Sequence, residues 1–249
     1  MNRTEFHKLF KATGPVVLPV IHVLDTPRTL ENVRVLVGEG AAGCFLINHD
    51  FGIEPFEPII RDVRHAFPSL WMGVNFLAVT GRDAFPVLGK LQAEACLVDA
   101  YWADDARIDE AADIQTEAGE IGRVRQASGW TGLYFGGTAF KKQREVAPEH
   151  HQASARKACA HMDVITTSGV ATGKEADLIK IKAFRAGIGE RPLALASGIT
   201  PDNAHLYADV DCFMVATGIN RQGNFYDIDP ARLKRLMRIT RELGGGASP

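Results

Sequence analysis

"PLALASGITPDNAHLYADVDCFMVATGIN" (192–220) contains two apolar runs, each ending in a small hydroxyl residue and a glycine: Ser197-Gly198 and Thr217-Gly218. Neither run alternates apolar with polar residues. A strand apolar on both faces belongs to a parallel sheet covered by helices. The same kind of run recurs upstream as "VVLPVIHV" (16–23), "GCFLIN" (43–48), "WMGVNFL" (71–77), "ACLVDA" (95–100), "GLYFGG" (132–137) and "DVITTSG" (163–169). Counting both runs of the opening stretch, the chain carries eight such segments.

Between them lie helix-length stretches with apolar residues three or four apart, such as Leu30, Val33 and Val37, or Leu178, Ile181 and Phe184. Asp25-Thr26-Pro27, Thr80 and Thr200-Pro201-Asp202 carry helix-start signals. Strand then helix, eight times, predicts a closed α/β barrel, (β/α)8, as one domain over 1–243. A doubly wound open sheet is the fold alternative. "RTEFHKLF" within 1–12 predicts a short helix closing the barrel bottom through Phe6, Leu9 and Phe10, and 244–249 ("GGGASP") reads as a flexible tail.

Composition narrows the function. The 249 residues carry a formal charge of -2 and are 46% hydrophobic. No basic field is present to hold a nucleic acid, which needs many Lys and Arg contacts to phosphate. Four cysteines without a C-x-x-C read as reduced thiols, three of them inside apolar runs. The N-terminus has no apolar signal-peptide centre, and no run reaches the roughly 18 apolar residues of a membrane span. The expectation is a soluble cytoplasmic protein. Homo-oligomers are common among barrels, but no surface pattern marks an interface.

In such a barrel the residues able to meet one ligand lie at the C-terminal strand ends and in the loops that follow. The expected substrate-binding residues are Asn48, Asn75, Ser168, Gly169, Thr172, Gly173, Ser197, Gly198, Thr217, Gly218 and Asn220. Glycines after strands 7 and 8 let backbone N–H groups hold a phosphate, or else simply make tight turns. The loop "SGVATGKEAD" is no Walker A motif, because Gly169 and Gly173 enclose three residues and Glu175 follows Lys174.

His22 and His49 end strands beside Asp25 and Asp50, where imidazole and carboxylate are able to converge. Asp99 follows "ACLV" and needs a partner; Lys141, past strand 5, is the candidate, as a base and electrophile pair or a structural ion pair. His22, His49, Asp99 and Lys141 are therefore the candidate catalytic residues. No metal-ligand spacing occurs, and a divalent metal on His22, His49 and Asp99 stays open as an alternative. Lys142 reads as a solvated charge.

"VITTSGVATGKEADLIKIKAF" together with "LALASGITPDNAHLYADVDCFMVATGINRQGNFYDIDPARLKRLM" resembles the BtpA/SgcQ family of TIM barrels, related in fold to the ribulose-phosphate-binding barrels. "PVIHVLDTP", "INHDFGIEPF" and "MGVNFL" extend the resemblance into the first half. Near strand 5 the family pattern, an Asp followed by Val-x-Val-Lys, becomes "YFGGTAFKK", with Lys141 kept and Gly136 at the acidic position. Asp25 stands where the family tends towards Pro-rich sequence. The resemblance implies a barrel, and a phosphorylated small molecule on Ser197, Gly198, Thr217 and Gly218. Two readings follow. One is an enzyme acting on a phosphosugar or phosphoribosyl compound by isomerase, epimerase, lyase or phosphoribosyl-transfer chemistry. The alternative is a non-catalytic assembly or regulatory factor that binds a protein partner and is gated by a ligand.

Overall fold

Eight parallel strands close into a barrel in chain order in the computed structural model, which describes residues 1–141 and 143–245. They are β1 (Val16–Val23), β2 (Gly43–Asn48), β3 (Trp71–Asn75), β4 (Ala100–Ala103), β5 (Leu133–Gly137), β6 (Val164–Thr167), β7 (Leu193–Leu195) and β8 (Cys212–Val215). The helices are α1 (Arg3–Leu9), α2 (Thr26–Gly38), α3 (Ile53–Ala66), α4 (Gly81–Ala93), α5 (Thr116–Ser128), α6 (His151–Ala158), α7 (Leu178–Ile188) and α8 (Pro230–Gly245). Lys142 and 246–249 lie outside the described residues; Gly244 and Gly245, expected in the tail, end α8.

The strands are mostly apolar because both of their faces are covered, and the period of two sorts their side chains. Val16, Leu18, Val20, Phe45, Ile47, Ala100, Trp102, Phe135, Val164, Ala194, Cys212 and Met214 fill the interior. Their neighbours Val17, Ile21, Leu46, Met72, Tyr101, Tyr134, Ile165, Leu195 and Phe213 pack outward against the helices. Inside, Phe45 meets Phe135 at 5.1 Å and Trp102 at 6.0 Å between ring centroids. α1, capped by Asn2, drives Phe6 into the interior from below, 6.3 Å from Phe135. Phe10 packs on Trp71 at 5.0 Å, whereas Leu9, expected to join them, is exposed.

Two expectations give way. The fourth strand runs Ala100–Ala103 rather than through "ACLVDA", so Asp99 precedes it instead of ending it. The helix expected between β7 and β8 is a single 3-10 turn, Ala204–Tyr207. Few residues separate β7 from β8, and the Asn203 side chain folds back to accept the Thr200 N–H at 2.8 Å, so the Thr-Pro-Asp start signal makes a turn.

At the N-terminal rim one arrangement occurs three times. Asp99 Oδ2 accepts from the Met72 N–H at 2.9 Å and from Arg64 Nη2 at 2.7 Å. Asp163 Oδ2 accepts from the Tyr134 N–H at 2.8 Å and from Arg125 Nη2 at 2.6 Å. Asp211 Oδ2 accepts from the Leu193 N–H at 2.9 Å and from Arg185 Nη2 at 2.6 Å. In each case a residue preceding an even strand joins the odd strand before it to an arginine at the end of the preceding helix.

Candidate functional site

The inward series of each strand, extended by two residues, delivers the polar groups at the barrel mouth. From Val20 the series continues to His22, from Ile47 to His49, and from Trp102 to Asp104. These residues line one pocket with Lys141, Thr172, Gly173, Ser197, Gly198, Thr217 and Gly218. Val20, Ile47, Trp102, Ala196 and Met214 belong to its lining as well, and the pocket spans about 630 Å³, including the part open to solvent.

His22 is 7% exposed. Its Nδ1 lies 2.8 Å from the Phe225 carbonyl oxygen, which only accepts, so Nδ1 carries the proton and Nε2 presents a lone pair. Burial pulls its pKa down to about 4 against the opposing Phe225 carbonyl, with His49 and Lys141 adding to the drop. His22 is thus a neutral imidazole near pH 7. The Phe225 ring stacks on it at 3.7 Å and meets His49 edge-on at 5.2 Å, while the two imidazoles meet at 4.8 Å.

Phe225 rides on the loop joining β8 to α8, and that loop is tied down along its length. Asn220 Nδ2 donates to the Phe225 carbonyl at 2.8 Å. The Tyr226 hydroxyl donates to Asp50 Oδ2 at 2.8 Å, and Arg28 grips Asp227 at 2.6 and 2.7 Å. Asn32 donates to the Tyr226 carbonyl and accepts from the Ile228 N–H. Asp25 caps α2 by accepting the Arg28 N–H at 2.8 Å, so it orders a helix start beneath this loop.

Lys141 bridges two loops. Its N–H donates to Ser168 Oγ at 2.7 Å and its Nζ to the Ala196 carbonyl at 2.9 Å. Asn75 Nδ2 donates to Asp104 Oδ1 at 3.2 Å, so Asn75 stands behind the carboxylate and orients it. Sequence reasoning missed Asp104. Once the strand is shifted to Ala100–Ala103, the alternation Ala100, Trp102, Asp104 is the signal that finds it.

The glycines of the mouth answer to their neighbours. A Cβ on Gly198, whose φ is +71°, would lie 2.2 Å from the Lys174 carbonyl oxygen, and one on Gly218 would lie 1.9 Å from that of Ile199. Interlocking of the three loops therefore requires both glycines, and the same close approach brings the loops to one wall of the pocket. Ser197 Oγ continues the interlock, accepting the Gly169 N–H at 2.6 Å and donating to the Lys174 carbonyl at 3.2 Å.

Several expected site residues lie elsewhere. Asp99 is at the opposite rim, paired with Arg64 rather than Lys141, because the strand begins after it. A metal set of His22, His49 and Asp99 is ruled out by that placement. Among the described residues, no group of three His, Cys, Asp or Glu is arranged to hold a metal. Asn48 braces the mouth loops, donating to the Phe51 carbonyl at 2.5 Å and accepting the Leu77 N–H at 3.0 Å. Ser168 and Gly169 border a neighbouring cleft with Lys180, whose pKa burial lowers to about 8. Asn220 serves the β8–α8 loop. Gly136, where the resemblance led to an acidic residue being expected, would point a Cβ at Met162 Sδ and Ala106 Cβ, 2.6 and 3.0 Å away on the helix side.

Among the described residues no helix is long and apolar enough to cross a membrane. No curated protein matches the sequence. Solved structures share the fold. The tryptophan synthase alpha subunit from Legionella pneumophila aligns over 98% of this chain and 99% of its own, at 17% identity and a TM-score of 0.65. A structure described as native KDPGal aligns over 91% and 95%, at 11% identity and a TM-score of 0.63. Phosphoribosyl anthranilate isomerase from Thermus thermophilus aligns over 90% and 96%, at 15% identity and a TM-score of 0.57. Sequence carries the relationship further than these folds do: residues 57–242 match the BtpA family, most of the chain, and the protein belongs to that family.

Proposed function

We propose that the protein is an enzyme acting on a phosphorylated sugar or phosphoribosyl compound, cytoplasmic, with the phosphate held by the loops after β6, β7 and β8. The observation that carries the reading is one pocket shared by Thr172, Gly173, Ser197, Gly198, Thr217 and Gly218 on one side and His22, His49, Asp104 and Lys141 on the other. Phosphate at the loops after strands 7 and 8 of a barrel gains from backbone amides and hydroxyls aimed at one point. The name of one structural neighbour, a phosphoribosyl anthranilate isomerase, fits the same substrate class.

Asp104 takes the part expected of Asp99. Proton abstraction beside a carbonyl needs a base for the C–H proton and a polarising group for the oxygen on which charge develops. The Asp104 carboxylate, oriented by Asn75, is the base, and Lys141 the polarising group. His22 has no proton to give from Nε2 and acts as an acceptor for a substrate hydroxyl. The electron pair of the C–H bond moves into the new C=C of an enediol as the C=O π pair moves onto its oxygen, which takes a proton at the polarising group, while the C–H proton passes to Asp104. On collapse the neighbouring hydroxyl gives up its proton to re-form a C=O, and the C=C pair takes the proton back from Asp104 at the other carbon. The alternative of a non-catalytic partner-binding factor drew on the loss of an acidic residue at Gly136. That position faces the helix layer rather than the mouth, so its glycine removes nothing from the pocket.

The test is a Thr217→Asp variant, which sets a carboxylate beside the anion site at an exposed residue. Isothermal titration with ribose 5-phosphate and inorganic phosphate should show binding to the parent and none to the variant, with an unchanged thermal midpoint. Equal affinity in both proteins would remove the phosphate from this pocket.

A further inference from the structure

Trp102 is 4% exposed, belongs to the interior cluster and lines the mouth pocket. Its Nε1–H is buried and has no hydrogen-bond partner among the described residues. Indole is a donor only, and a buried donor without an acceptor is costly enough that proteins rarely keep one. Trp130 shows the ordinary solution, its Nε1–H donating to the Val98 carbonyl at 2.9 Å. The other buried side-chain atoms without a partner, on His7, Asn75, Tyr134, Arg191 and Asn220, belong to residues outside the lining of this pocket.

The same pocket holds the opposite group. His22 spends its one N–H on the Phe225 carbonyl and turns an acceptor, Nε2, to any ligand. A hydroxyl serves an indole N–H as acceptor and an imidazole nitrogen as donor; an alkyl chain serves neither. A planar base would have to stack in a space walled by Val20, Ile47, Ala196 and Met214.

We infer that Trp102 is a specificity-determining residue, whose Nε1–H donates to an oxygen on the carbon skeleton of the substrate and thereby selects a hydroxylated sugar phosphate over an alkyl phosphate. The inference rests on the phosphate reading above and deepens it: the loops after β6, β7 and β8 bind the phosphate, and Trp102 reads the carbons next to it.

The experiment compares the parent with Trp102→Phe, which keeps an aromatic ring and removes the N–H. Four probes are titrated: inorganic phosphate, n-pentyl phosphate, ribose 5-phosphate and ribulose 5-phosphate. The parent should bind at least one pentose phosphate about tenfold more tightly than pentyl phosphate, the variant should lose that margin, and both should bind inorganic phosphate alike. A second measurement leaves the protein unaltered. Of the three tryptophans, one indole N–H resonance, assigned through the Trp71→Phe and Trp130→Phe spectra, should move downfield with the pentose phosphate and stay in place with pentyl phosphate. If phosphate and pentyl phosphate bind but the pentose phosphates gain nothing, or if Trp102→Phe keeps the margin, the role of Trp102 is overturned while the phosphate site stands. If no probe binds, the phosphate reading fails and this inference with it.

Discussion

His22 turns a strand end into a chemical group of fixed character. Its depressed pKa means that the folded protein keeps the imidazole neutral where an unfolded chain would protonate it, between pH 6.5 and about 4. The unfolded state then binds more protons, so stability falls as the pH drops through that interval. The expected loss is about 3 kcal/mol at the lower end. His22→Asn, whose amide can still donate to the Phe225 carbonyl, should flatten the slope in urea titrations from pH 7 to pH 4; parallel curves for the two proteins would refute it. The two histidines were legible because each stands at the end of an apolar run, where a polar ring has few structural uses. Asp104 was not legible, since "ACLV" is as apolar as any strand here and drew the strand one turn of the alternation too early. The lock on the His22 tautomer lies further still from sequence, because Phe225 comes from the other end of the chain.

At the scale of elements, the aspartates of the N-terminal rim separate stability from chemistry. Asp99 was expected at the mouth and instead ties β3, β4 and α3 together. Asp99→Asn should therefore cost about 2 kcal/mol of stability and leave ligand affinity unchanged. Asp104→Asn should do the reverse, cutting turnover at least about a hundredfold with a thermal midpoint near that of the parent. Measured together, the two variants tell which end of β4 does the chemistry. Asp211 is fully buried where Asp99 is 22% exposed. Burial alone would raise its pKa; His7, Arg185, the Leu193 N–H and Arg3 outweigh that and hold it at about 2. Its stabilisation is present above pH 3.8 and lost as the pH falls towards 2. Asp211→Asn, which leaves Arg185 buried without its carboxylate, should cost about 3–5 kcal/mol. The strands were readable from their two-sided apolarity, whereas the lack of a full helix between β7 and β8 follows from how little chain separates them. Helix-start chemistry specifies where a turn begins and not how far it runs.

For the molecule as a whole, α1 sets Phe6 into the interior from below, with Phe10 packed beside it. Phe6→Ala should open a cavity against Phe10 and Phe135 and cost about 3–5 kcal/mol, read by calorimetry. The three aspartate-arginine joints also give the barrel an internal grain. Each binds an odd strand to the even strand after it and to the helix before it, so β3–β4, β5–β6 and β7–β8 are sewn pairs, and the seams between pairs fall in the loops after even strands. A chain cut in the loop between β4 and α5 parts along such a seam, and every joint survives inside one fragment or the other. The first fragment would carry His22, His49 and Asp104, the second Lys141 and the Ser197 and Thr217 loops. Two separately expressed pieces should reassociate one to one, Arg3 and His7 of the first docking on Asp211 of the second. Neither piece alone holds a complete pocket, so recovered ligand binding becomes a gauge of how many halves have found each other.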